Sequence, residues 1–481
     1  LFCNFFYIIL CFYRIIVLFL LNFFYFYYKT STFFNCEPLL TLSGFLVILL
    51  LNLHNLCRQG TGKDAKSVSK ETFQIVSFPR KAEMPAEIRL FQLQEAEATR
   101  AFHASFPVYR ETPLVERRQT AEALGLGTVY VKDESFRFGL NAFKVLGGSF
   151  AIGNCIARRL GVHIRDLPYP AMVSTETREK LGSLTFVTAT DGNHGRGVAW
   201  TARQLHQHAV VYMPKGSSPE RLANIRAEGA DATITDLNYD DAVRLAKRQA
   251  EEHGWIMVQD TAWPGYEDIP AWIMQGYGTM GYEAWKQLPQ KPTHIFLQAG
   301  VGSMAGAITG FFTALYGKDR PIITIVEPNR ANCLFRTAQA DDGKLHFVSG
   351  DMNTIMAGLA CGEPCTIGWN VLHACADHFI SCPDYTAAKG MRILGCPFPG
   401  ETPVVSGESG AAGFGCLAEM MTNPVLQPLR DALQLNRTSR VLCFSTEGDT
   451  DRANYRAVTW DGRYPSGPED RTVTIQNKED T

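Results

Sequence analysis

The feature that most restricts the fold of this chain is an alternation running through residues 84–465. Short β-branched and aromatic runs take turns with stretches of helical period. The runs predict strands over 128–132, 184–188, 209–213, 232–235, 255–259, 294–298, 322–326 and 440–445. Between them, 143–160, 197–205, 219–227 and 240–252 read as helices. Ser218-Pro219-Glu220 is a good helix start, and Gly229 and Gly254 stand where helices should stop. Strand and helix alternation of this kind implies parallel sheets with helices on both faces, an α/β protein.

A chain of 481 residues can build two lobes with a cleft between them. Its 46 basic and 48 acidic residues give a net charge of -2, so no basic surplus exists to neutralise nucleic-acid phosphates. The expected partner is a small molecule. Cys361, Cys365, Cys375 and Cys382 are too unevenly spaced for a zinc site, and no metal is expected. Most cysteines read as reduced and buried, with a single disulfide involving Cys333 or Cys361 left open.

Residues 1–59 differ from the rest. Leu1 to Tyr28 and Leu39 to Leu53 are apolar runs that would serve as membrane spans or a leader. Their mixture of Phe, Tyr, Leu, Ile and Asn, behind a first residue that is Leu, equally suits an over-extended gene model. Either way the segment stands apart from the fold. Residues 60–83 read as a polar linker and 466–481 as a polar, frayed tail. Residues 84–150 with 290–465 are expected to form a large lobe, and 151–289 a small one.

In open α/β sheets, ligands bind beyond the carboxyl ends of strands, so the loops there carry the functional information. One runs from Lys132 to Lys144 (KDESFRFGLNAFK) and opens a helix reading FKVLGGSFA. Lys144 is either a solvated helix residue or, on the inner face of a closely packed helix, an amine fit for a Schiff base. The second loop, TATDGNHGRG over 188–197, offers backbone amides to an anion, or merely caps a helix with Asp191 and Asn193. The third, QAGVGSMAG over 298–306, could donate backbone N–H groups to a phosphate. It lacks the lysine of a nucleotide-binding loop and the spacing of a dinucleotide fingerprint. The fourth, STEGD over 445–449, presents Ser445 at a strand end, and alone is only a turn.

In this order the four loops resemble fold-type II pyridoxal-phosphate (PLP) enzymes, and Thr112-Pro113-Leu114 matches the entry motif of that group. The runs KDESFRFGLNAFKVLGG, TATDGNHGRGVAW, DTAWPGYEDIPAWIMQGY, QAGVGSMAGA and TIMAGLACGEP resemble the diaminopropionate ammonia-lyase family most closely. The resemblance implies two mainly parallel lobes with PLP between them, and elimination of ammonia from 2,3-diaminopropionate to leave pyruvate. It implies Lys144 as the Schiff-base lysine and as base toward the L-isomer, with Asp191 as base toward the D-isomer. Asp260 would bind the substrate's amino groups, alongside Thr190, Gly192 and His194. Asn193 would meet the cofactor's phenolic oxygen, Ala299, Gly300, Val301, Gly302, Ser303 and Met304 would cradle its phosphate, and Ser445 would face its ring nitrogen. A homodimer with a cytoplasmic catalytic body is expected, touching a membrane only if residues 1–55 are genuine. The rival readings are a serine or threonine dehydratase and a PLP-fold protein that binds without catalysis. Asp191 and the DTAWPGY run weigh against the first.

Overall fold

Two sheets organise the molecule. The larger contains β1 (Thr72–Ser77), β2 (Leu114–Glu116), β3 (Thr128–Asp133), β8 (His294–Gln298), β9 (Ile322–Pro328), β10 (His378–Cys382), β11 (Arg440–Ser445) and β12 (Thr472–Asn477). The smaller contains β4 (Thr185–Ala189), β5 (His208–Met213), β6 (Asp231–Ile234) and β7 (Ile256–Met257). The computed structural model describes residues 72–81, 83–190, 192–465 and 472–478, all within the unit Lys70–Thr481. The N-terminal apolar segment and Asp191 lie outside the described residues.

The large sheet runs β12-β1-β10-β9-β8-β11-β3-β2, and its five middle strands, β10 through β3, are parallel. β8 and β10 are buried at every position, as strands covered on both faces must be. The small sheet, β6-β5-β4-β7, is parallel throughout. This is the α/β architecture that the alternation implies.

The sequence reading departs from the structure at both ends of the described chain. Within the stretch read as a linker, TFQIVS is β1, with Phe73 and Ile75 buried and antiparallel pairing to β10. Within the stretch read as a frayed tail, β12 pairs in parallel with β1 along its whole length. Polar neighbours hide both strands locally, and each is stabilised by a partner hundreds of residues away.

Register brings the functional loops together. Val441 of β11 lies opposite both His294 of β8 and Val129 of β3, so these three strands end at one edge of the sheet. The loop from β3 toward Lys144 is anchored by a wholly buried charge network. Arg137 donates to Glu134 at 2.8 Å and to Glu283 at 2.7 Å, and Lys132 reaches Glu283 at 2.9 Å. Thr112 and Tyr109 hydroxyls complete it, at 2.7 Å to Glu134 and 2.8 Å to Glu283.

Helix α1 (Val145–Leu160) follows Lys144 and is clasped by α2 (Asn193–Gln204) and α3 (Asp268–Gln287). Glycines make the approach possible. A Cβ on Gly197 would lie 2.8 Å from the Val145 Cα, and one on Gly147 would lie 2.6 Å from the Tyr277 ring. At Gly276 it would collide with the Leu146 carbonyl. The FKVLGG pattern therefore fixes Lys144 by backbone contact rather than by interlocking side chains. Among the described residues, no helix is long and apolar enough to cross a membrane.

Candidate active site

The edge where β3, β8 and β11 end opens on a cleft of about 720 Å3, part of it open to solvent. Lys144, Thr190, Asn193, His194, Asp260 and the loop from Gln298 to Ala305 line it. The Lys144 ammonium donates to the Asp260 carboxylate, with the Phe143 and Tyr277 ring centres at 5.5 Å and 6.0 Å. Burial works against the charge on Lys144, but the attraction of Asp260 outweighs it and the lysine is held above its ordinary value. Burial would likewise push Asp260 up, yet the facing ammonium brings it down to about 2. The two therefore stand as an ion pair.

His194 is buried, which lowers its pKa, and its Nε2 sits 2.8 Å from the Val258 carbonyl. A carbonyl only accepts, so Nε2 carries the hydrogen and Nδ1 is left as a buried acceptor with no partner among the described residues. Thr190 accepts from the Gly192 N–H at 3.0 Å, and Gly192 itself lies beneath the Arg221 side chain.

Opposite Lys144, helix α4 (Ser303–Tyr316) begins at the turn Gly300-Val301-Gly302. Gly302 has φ +95°, a conformation that side chains resist, and a Cβ there would also press on Leu334 at 3.2 Å. A Cβ on Gly300 would meet the Cys361 Sγ at 3.1 Å. The turn thus presents bare backbone at a helix N-terminus, where N–H groups and the helix dipole favour an anion. Ser303 Oγ donates to the Asp260 carbonyl at 2.5 Å, tying this cradle to the ion pair.

At the floor, Gln298 Nε2 donates to the Phe444 carbonyl at 2.8 Å and to Thr446 Oγ1 at 3.0 Å, stitching β8 to β11. Ser445 is buried just behind this floor, its hydroxyl 2.8 Å from that of Ser406. Asn193 Nδ2 donates to Glu447.

Of the residues singled out from sequence, Lys144, Thr190, Asn193, His194, Asp260 and Ala299 to Met304 all border the cleft. Ser445 and Gly192 stand one layer back. Sequence reasoning passed over Tyr277, Gln298 and Glu447. Tyr277 closes the DTAWPGYEDIPAWIMQGY run and Glu447 is the centre of STEGD, so both were in view, but only folding shows which way they face. Among the described residues, no disulfide joins Cys333 or Cys361 to another cysteine.

A cofactor with an aldehyde, a phosphate and a pyridine ring needs an amine, an anion cradle and a polar group at the ring's far end. Lys144, the Gly300 to Ser303 turn and Ser445 are chemically of those kinds, and the bare cradle fits a phosphate that a Cβ would exclude. Residues 106–428 match the family model described as pyridoxal-phosphate dependent enzyme, which is more than half of the chain. The protein is a PLP-dependent enzyme of fold type II.

The chain is 55% identical over 368 residues to diaminopropionate ammonia-lyase of Salmonella typhimurium, spanning 76% of this chain and 91% of that one. It is 48% identical over 383 residues to the same enzyme of Escherichia coli K12, spanning 79% and 94%. The holo crystal structure of the Escherichia coli enzyme superposes with a TM-score of 0.77 at 44% identity, covering 83% of this chain and 99% of that chain. Threonine deaminase isoform 2 from Solanum lycopersicum, at 18% identity and a TM-score of 0.61, shares the fold. The chain belongs to the diaminopropionate ammonia-lyase family.

Proposed function

We propose that this chain converts 2,3-diaminopropionate and one water into pyruvate and two molecules of ammonia by α,β-elimination. The observation that carries the reading is the Lys144–Asp260 ion pair facing a side-chain-free cradle across one cleft. When bound, PLP supplies the electron-accepting ring that makes the α-proton removable. The chain's own residues do the rest. Lys144 holds the cofactor and moves the α-proton of the L-isomer. Asp260 attracts the substrate's ammonium groups, because a dicationic side of a substrate is selected by a fixed carboxylate. Gly300 to Met304, with Ala299, would hold the cofactor's phosphate. Asn193 would donate to the cofactor's phenolic oxygen, and Ser445 would supply the neutral hydroxyl at its ring nitrogen. Thr190, Gly192 and His194 complete the substrate's surroundings.

Asp191 is assigned the α-proton of the D-isomer on the family resemblance. The same reading takes 84–150 with 290–465 as the large lobe and 151–289 as the small lobe. It takes the enzyme to be a homodimer with a cytoplasmic catalytic body, which sedimentation and cell fractionation test.

The deciding experiment is pyruvate release from a panel of D- and L-diaminopropionate, D- and L-serine and L-threonine. Diaminopropionate should lead by a wide margin. Preference for serine or threonine would move the chain to the dehydratases, which the 28% identity to L-threonine ammonia-lyase of Geobacter sulfurreducens makes the natural rival. Asp191→Asn, which keeps a capping group but cannot take a proton, should slow the D-isomer far more than the L-isomer. Equal losses would reduce Asp191 to a cap.

A further inference from the structure

Asn193 opens α2 and borders the cleft. An amide side chain is ambivalent, since half a turn about its last bond exchanges a donor for an acceptor in nearly the same place. One neighbour removes that freedom. Glu447, two residues past the end of β11 and 2% exposed, accepts a hydrogen bond from Asn193 Nδ2. Glu447 is itself fixed on several sides. Its Oε1 accepts from the Ser409 N–H at 3.1 Å, and its Oε2 accepts from the Thr450 hydroxyl at 3.4 Å. Its backbone carbonyl accepts from the Gly407 N–H at 2.9 Å.

A second acid lies beside it. Glu408 is pushed up to about 7, by burial first and then by the charge of Glu447, and it accepts from Asn454 Nδ2. A carboxylate oxygen only accepts, so the Asn193 amide has one favourable orientation, nitrogen toward Glu447. That nitrogen carries a second hydrogen, which Glu447 does not use.

We propose that Glu447 is a positioning residue that locks the Asn193 amide with its NH2 group, not its oxygen, serving the cleft, so that an anionic oxygen of the cofactor meets a donor. The inference rests on the reading of Asn193 given above. A glutamine at this place would not do the same, because its own amide can turn to suit either orientation of Asn193.

The test uses the holoenzyme and the apo-protein prepared from it. The readouts are the PLP dissociation constant, the pH titration of the bound cofactor's visible band, and the melting temperature of the apo form. Asn193→Ala should weaken PLP binding about tenfold, the worth of one hydrogen bond to a charged group, and should displace the band's titration midpoint. Glu447→Gln should weaken binding several-fold in the native background and not at all when Asn193 is already alanine, since its effect passes through that amide. The swap Asn193→Asp with Glu447→Gln restores a donor–acceptor contact but turns the wrong group to the cleft. The apo melting temperature should then recover while PLP affinity stays low.

Losses that add in the double variant, a Glu447→Gln enzyme with native affinity and spectrum, or recovered affinity in the swap would each overturn the role of Glu447. Native affinity and spectrum in Asn193→Ala would overturn the assignment of Asn193, and the inference with it. If Glu447→Gln alone does not fold, the swap still decides between the outcomes.

Discussion

Lys132 and Lys144 bracket a single run of sequence, both are shielded from water to some degree, and both face carboxylates, yet their situations are opposite. The Lys132 ammonium spends all three hydrogens, on the Thr112 carbonyl at 2.7 Å, Gln287 Oε1 at 2.8 Å and Glu283 at 2.9 Å. It shares its acids with Arg137, and burial wins, lowering its pKa. Lys144 pairs with Asp260 and otherwise borders the cleft, and there the single carboxylate wins, raising its pKa. A lysine whose donors are exhausted can only hold structure. One with donors to spare and open space beside it can change partners, and changing partners is what Schiff-base chemistry requires.

The contrast can be broken most forcefully at Lys144. Lys144→Ala should cut pyruvate formation from either isomer by about 10⁴-fold while the protein stays folded, as judged by circular dichroism. A variant with near-native turnover would erase the distinction between the two lysines. Lys132→Met should do the reverse. By leaving Glu134 and Glu283 short of a cation in a fully buried site, it should cost about 3–5 kcal/mol of stability in urea unfolding. The fraction that folds should retain near-native kcat.

Acid titration sharpens the comparison further, since Asp260 at the cleft and Glu283 in the network are both held down to about 2. A carboxyl depressed on folding contributes stability that is fully present above its ordinary value and is lost as pH falls through the folded one. Each acid should therefore steepen the loss of stability between about pH 4 and 2, Asp260 by about 2 kcal/mol. In Asp260→Asn one of these two contributions disappears and the Glu283 contribution remains, which unfolding curves at pH 5 and pH 2.5 would reveal. An unaltered pH dependence would mean that the cleft pair does not stabilise the fold. The smallest effect is expected from Gly302→Val, which touches neither lysine. Strain at its left-handed φ and contact with Leu334 should raise the PLP concentration for half-maximal activity about tenfold, with both charge clusters intact.

Several strands buried on both faces were legible in the sequence, but β10, HFISC over 378–382, was not read as a strand although it is buried at every position. The reading 294–298 coincides with β8, and 128–132 falls one residue short of β3. Helix Pro219–Ala227 was legible to the residue because Ser218 and Pro219 announce it and Gly229 lies just beyond its end. β1 and β12 were hidden because a six-residue strand among polar neighbours is indistinguishable from a loop until its partner is known. The same limit applied to the site. Lys144 and Asp260 stand in distinctive local patterns, whereas Glu447 acquires its meaning only from Asn193, brought to it by tertiary folding. Helical period alone could not show that Tyr277 would lie over the lysine.

The pairing of β1 with β12 has a consequence for synthesis. A chain leaving the ribosome carries β1 almost from the start of the described fold, but the strand that covers its outer edge emerges only after every other described strand. Until residues 472–477 are released, β1 offers a row of unsatisfied N–H and C=O groups, the template on which another nascent chain can add. The large sheet is therefore completed late, at the seam between β1 and β12, and deleting residues 472–477 would leave β1, with its buried Phe73 and Ile75, in place of β12 as the edge strand.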